Sequence, residues 1–136
     1  MFESAIQRCI YEKLTSDANI IAGSIQVFDC PPQFVSGSQE IYPYILIGDD
    51  NFLAWDTDTE LGTQVTVTVH TWSRYSGLLE TKEIQGFIYQ ALNRADLIIS
   101  GFNVILCQHL QSQSFKDSDG LTWHGVQQFN ILIQKL

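Results

Sequence analysis

Basic residues are scarce: the chain has 136 residues and seven Lys and Arg against fifteen Asp and Glu, a formal charge of −8. A surface that grips phosphates needs the opposite balance, so nucleic-acid binding through the backbone is excluded. The same charge is compatible with standing beside DNA without holding it. Cysteine is also sparse. Cys9, Cys30 and Cys107 are odd in number, far apart and without a CxxC pair, which reads as separate thiols rather than a disulfide framework or metal clip. No apolar run approaches the ~20 residues of a membrane span. The start, MFESAIQRCI, lacks the basic, then apolar, then small-residue order of a secretory signal, so synthesis in the cytoplasm is expected.

Catalytic signatures are missing as well. There is no phosphate-binding loop, nucleophile elbow, zinc-protease helix or dinucleotide fingerprint. His109 and His124 fall four to six residues apart along any hairpin ladder they could share, too far for one ion at ~3.4 Å per residue. Asp56, Asp58 and Glu60 have the spacing of a calcium loop's first ligands, but Gly62 comes one place late and Val67 stands where the bidentate acid belongs. No catalytic residue, cofactor or metal site is assigned.

What is present is a single domain's worth of patterned chain, 45% apolar. The clearest stretch is Gly62 to Asn93. Val65, Val67 and Val69 alternate with Gln64, Thr66, Thr68 and His70, the period of a half-buried strand. Ile84, Phe87, Ile88, Ala91 and Leu92 then share one helical face, with Ser76 placed to cap the helix and Glu80 and Glu83 at its start. Trp72, Arg74 and Tyr75 make the corner between the two elements. Upstream, residues 2–14 form a helix on the spacing of Phe2, Ala5, Ile6, Cys9, Ile10 and Leu14. Residues 25–28 suit a short strand, 31–40 a loop, and 41–47 a strand that Pro43 confines to its beginning or to an edge.

Gly48 to Leu61 reads as an acidic loop carrying Asp49, Asp50, Asp56, Asp58 and Glu60, with Phe52, Leu53 and Trp55 needing something to pack on. The last third is a long hairpin, strands at about 102–115 and 121–134, with Asp119-Gly120 near the tip. Its apolar residues are even-numbered on the first strand (Phe102, Val104, Leu106, Leu110) and odd-numbered on the second (Phe129, Ile131, Ile133). Even must therefore pair with odd, through a turn of Asp119-Gly120 alone or Asp117 to Gly120. The distal strands are polar and nearly uncharged, so the tip is expected to project and to meet another chain. The fold class is α+β: a mainly antiparallel or mixed sheet of four to five strands, two helices packed against it, and the long C-terminal hairpin.

Taken together, YPYILIGDD, the TVTVHTWSRYSGLLETKEIQGFIYQAL unit and the returning DSDGLTWHGVQQFNILI resemble the tail-completion or tail-terminator proteins of long-tailed phages, along nearly the whole chain. The resemblance implies a structural part, not an enzyme. Such proteins form rings, commonly hexameric, that cap the tail tube and meet the head connector. The implied partners are other copies of the chain, the tube protein and the connector, in the host cytoplasm and then in the virion. DNA passes through without specific binding. On that reading the acidic residues Asp49, Asp50, Asp56, Asp58 and Glu60 are candidates for the lumen or its rim, where they would repel phosphates. Trp72, Arg74 and Tyr75, with Gln111, Gln113, Phe115, Lys116, Asp117 and Asp119 of the hairpin, are candidates for subunit or tube contacts. A head-closure or connector adaptor protein fits the same residues. A small ligand-binding domain or enzyme using the Trp-rich acidic loop is the reading from another class.

Overall fold

The computed structural model describes residues 2–30, 41–54 and 62–136. Their order is α1 (Phe2–Thr15), α2 (Ala18–Ala22), β1 (Gln26–Phe28), β2 (Tyr44–Ala54), β3 (Gly62–Ser73), α3 (Leu79–Leu92), β4 (Phe102–Lys116) and β5 (Trp123–Lys135). The strands form one sheet in the order β1-β2-β3-β5-β4, with β1 parallel to β2 and every other pair antiparallel. This is the α+β mixed sheet with a C-terminal hairpin that the sequence implies. The polar turn after α1 contributes a short helix of its own. Asp17 caps it by accepting from the backbone N–H of Asn19 and Ile20, both at 3.1 Å.

Period-two alternation decides which side of the sheet is covered. Val65, Val67, Val69 and the odd-numbered Phe129, Ile131 and Ile133 are buried and share one core with Ile6, Ile10 and Leu14 of α1, Ile20 of α2 and Ile84, Ile88 and Leu92 of α3. Even-numbered residues of β3 and β5 line the opposite face. Within α3, Phe87 and Ala91 pack at the edge of the core rather than inside it.

Three expectations need correcting. Gly48–Ala54 is strand, not loop: β2 continues through a bulge between Gly48 and Asp50 and stays paired with β3 to Ala54. The extra residue lets a polar GDDN sequence remain on a strand with Phe52 packed against the core, while Leu53 is 53% exposed. Ser76 does not cap α3. The N-cap position is Leu78 and no side chain caps it; the hydroxyl nearest the helix start is that of Ser73, which donates to Glu80 Oε1 at 2.7 Å. Even-to-odd pairing of the hairpin holds only at its two ends. Val104 pairs with Ile133 and Lys116 with Trp123, but two bulges, between Val104 and Leu106 and between His109 and Gln111, shift the middle so that Cys107 opposes Ile131 and His109 opposes Phe129. Cys107 is thereby buried, whereas Leu110 is left 49% exposed.

Candidate assembly surfaces

The corner after β3 is braced from several sides. Trp72 is half-buried and stacks on His124, ring centroids 3.7 Å apart and nearly parallel. His124 Nε2 lies 2.8 Å from His70 Nδ1, so at least one of the two rings must be neutral for the bond to exist. Burial first, and the neighbouring His70 second, push His124 down to about 4, with Asp117 opposing. Sequence reasoning tested His109 with His124 and missed this pair. Only the pairing of β3 with β5, which sets His70 beside Val126 and Trp72 beside His124, brings it together.

Arg74 ties the same corner to both neighbours. Its guanidinium sits 4.6 Å from the centre of the Tyr42 ring, and its Nε donates to Thr122 Oγ1 at 3.3 Å. Tyr42 precedes Pro43 through a cis peptide bond. Trp72 and Arg74 thus brace the fold, and of the three corner candidates Tyr75, 50% exposed, is the one that faces outward.

The hairpin tip is ordered by its own carboxylate. Asp119 accepts from the Thr122 hydroxyl at 2.6 Å and from the backbone N–H of Leu121 and Thr122, each at 2.8 Å. Those bonds, the Thr122 hydroxyl foremost, hold its pKa at about 2. Asp117 closes the loop through backbone bonds to Thr122 and Gly120. Lys116 lies 5.5 Å from the centre of the Trp123 ring, and Phe115, 43% exposed, meets His124 edge-on.

The polar run behind the tip does not project freely, contrary to expectation. Gln85 of α3 donates to the Gln113 carbonyl at 2.9 Å, Gln127 donates to the Gln85 carbonyl at 3.0 Å, and Thr81, Gln85, Thr122 and Gln127 are all buried. Helix and hairpin meet through amides because there is no room for larger groups: a Cβ on Gly125 would lie 2.6 Å from Gln85 Nε2. Gln111, by contrast, is exposed and donates to Gln128 Oε1 across the ladder.

Of the acidic candidates, Asp50 is exposed on the β2 bulge and lines a shallow groove with Gln7, Asp29, Leu46, Gly48 and His70. Asp49 lies on the same strand. Asp56, Asp58 and Glu60, with Trp55, fall outside the described residues. Among the described residues no three His, Cys, Asp or Glu gather as metal ligands, and no helix is long and apolar enough to cross a membrane. Cys107 is buried, donates to the Leu92 carbonyl at 3.2 Å, and is pushed up to about 11 by desolvation.

Comparison with known proteins supplies what the geometry alone does not. Residues 8–134 match the family described as tail completion protein gp17. The chain belongs to that family. The tail completion protein gp17 of Bacillus phage SPP1 is 28% identical over 122 residues, spanning 90% of this chain and 87% of the relative. The solved structure of bacteriophage SPP1 gp17 superposes with a TM-score of 0.62 at 26% identity, covering 94% of this chain and 88% of the other. A chain in the virion of a native gene transfer agent particle reaches a TM-score of 0.83 over 97% of this chain and 96% of its own, at 19% identity, and so shares the fold. The family is a structural one of the phage tail.

Proposed function

We propose that this chain forms a ring, of six copies, that ends the tail tube of a phage and presents it to the head connector. The observation that carries the reading is the family match over residues 8–134. The ordered hairpin tip, the outward Tyr75 and Phe115, and an edge strand without a charge from Phe102 to Phe115 are what a subunit needs to meet other subunits. The acidic excess suits a passage for DNA, because a wall of like charge lets phosphates slide past. Electron microscopy of the protein alone and mixed with tail tube subunits tests the reading. Annular density at one end of tubes of bounded length is expected. Bare tube ends at saturating protein would overturn it.

A further inference from the structure

Among the described residues β1 pairs with β2 only over Tyr44–Leu46, so beyond Leu46 β2 forms one border of the sheet and β4 the other, and the two are unlike. Residues 14–73, which include β1, β2 and β3, hold eight acids and no Lys or Arg, while residues 74–136 hold five of each. All of the net charge therefore lies in the part of the chain that builds one side of the sheet. On the other side, the outer strand β4 carries two exposed aliphatic side chains, Ile105 at 45% and Leu110 at 49%, among exposed polar residues such as Asn103, Gln108 and Gln111. A groove of about 430 Å³ runs outside β4, lined by Arg94, Asp96 and Leu97 on one wall and Val104, Ile105 and Leu106 on the other.

Register places complementary groups at similar heights on the two edges. Leu53 pairs with Gln64, Gln64 with Leu132, and Leu132 with Leu106, so Leu53, 53% exposed, stands across the sheet from the groove. Arg94 donates its backbone N–H to the outer carbonyl of Cys107, whose row runs through Ile131 and Val65 to Phe52, two residues from Asp50. Leu53 is thus level with the groove, while Asp50, whose own row runs through Val67 and Phe129 to His109, lies two residues along from the row that Arg94 meets at Cys107.

We propose that the groove outside β4 receives the β2 edge of a second copy of this chain, with Leu53 entering beside Ile105 and Leu106 and Asp50 meeting Arg94. The inference rests on the ring reading and deepens it. A contact between two different edges of one subunit is heterologous, and it closes into a ring when the rotation fits. Like edges do not match in this way: two β2 edges bring acid against acid, which costs affinity. The contact is made by side chains rather than by adding a strand. The outer backbone of β4 is already engaged by α3 and the two residues after it, through Asn93 Oδ1 on His109 N–H, Gln85 Nε2 on the Gln113 carbonyl and Arg94 N–H on the Cys107 carbonyl.

Charge reversal tests the pairing. Arg94→Glu and Asp50→Lys, singly and together, would be mixed with tail tube subunits, and both the cross-linked ladder of this chain and the capped tube ends would be scored. With the folding of each variant checked by its urea midpoint, each single variant needs roughly tenfold more protein to ladder and to cap, and the double variant regains most of the loss. If wild type ladders and both single variants ladder equally well, the edge contact is wrong and the ring stands. If laddering survives and only capping is lost, the groove belongs to the tube subunit and the proposal falls. A double variant no better than the singles also overturns it. A wild type that neither ladders nor caps overturns the ring itself.

Discussion

Two side chains at the tip end of the molecule set how it should respond to acid. Asp119 has its pKa lowered from 3.8 to about 2 by three hydrogen bonds, so its contribution is complete above 3.8 and is lost as pH falls through 2. His124 is lowered from 6.5 to about 4, so the unfolded chain takes up a proton before the folded one does. Its effect is a loss of stability as pH falls from 6.5 towards 4, levelling below that. The groups facing it are Trp72, Phe115, His70 and Asp117. Urea midpoints measured across pH should therefore fall in two windows. His124→Gln should flatten the upper one and Asp119→Asn the lower. Unchanged slopes in both variants would mean that neither group is linked to folding. The role of Asp119 could be read in part from Asp119-Gly120 as a turn, but its partner Thr122 could not, because which hydroxyl folds back depends on the six residues between Lys116 and Trp123.

Elements differ in how openly the sequence declares them. The strand β3 and helix α3 were legible because one period runs through each, and burial follows it: Val65, Val67 and Val69, then Ile84, Ile88 and Leu92. The hairpin was legible as a hairpin and illegible in register. The turn itself takes the six residues between Lys116 and Trp123, and the registers that the two allowed turn lengths would set both occur, one at the base and the other at the tip, with two bulges between them. A bulge adds a residue without a sequence mark, so a parity argument cannot see it. Helix-to-hairpin docking was hidden for another reason: its residues, Thr81, Gln85 and Gln127, are polar and do not advertise burial. That seam gives the prediction at this scale. Gly125→Ala would set a Cβ 2.9 Å from Thr81 Cγ2 as well as 2.6 Å from the Gln85 amide, which is tied to the Gln113 carbonyl. Moving that amide strands a buried polar pair, in a seam where Thr71, Thr81 and Gln127 already carry a buried oxygen with no partner among the described residues. The variant should lose roughly 1–3 kcal/mol in urea unfolding at an unchanged m-value. A wild-type midpoint would show that α3 shifts without cost.

At the scale of the whole molecule, the question is what an acidic excess confined to residues 14–73 is for. Composition alone could say that the chain would not hold DNA, but not where the acid sits. Strand order and register add that Asp50 lies on β2 beyond its pairing with β1, and that its row crosses the sheet to His109, two residues from Cys107 at the end of the groove. On the proposed edge contact, Asp50 is used between subunits and is not available to a bore. Asp49, Asp56, Asp58 and Glu60 are then the candidate acids left to act on DNA, and Asp50 separates from the last three by experiment. Asp56→Asn, Asp58→Asn and Glu60→Gln together would remove three charges per chain, and in a ring the loss is multiplied by the number of copies. Rings carrying that triple change should assemble as wild type does and retain duplex DNA at low salt, with retention fading as salt rises because screening and counterion competition remove the attraction. Asp50→Asn should do the reverse, weakening assembly without raising retention. DNA retention by both variants alike would mean that the excess works through total charge. Retention by neither would mean that these acids serve solubility, with DNA kept off the ring by its other surfaces.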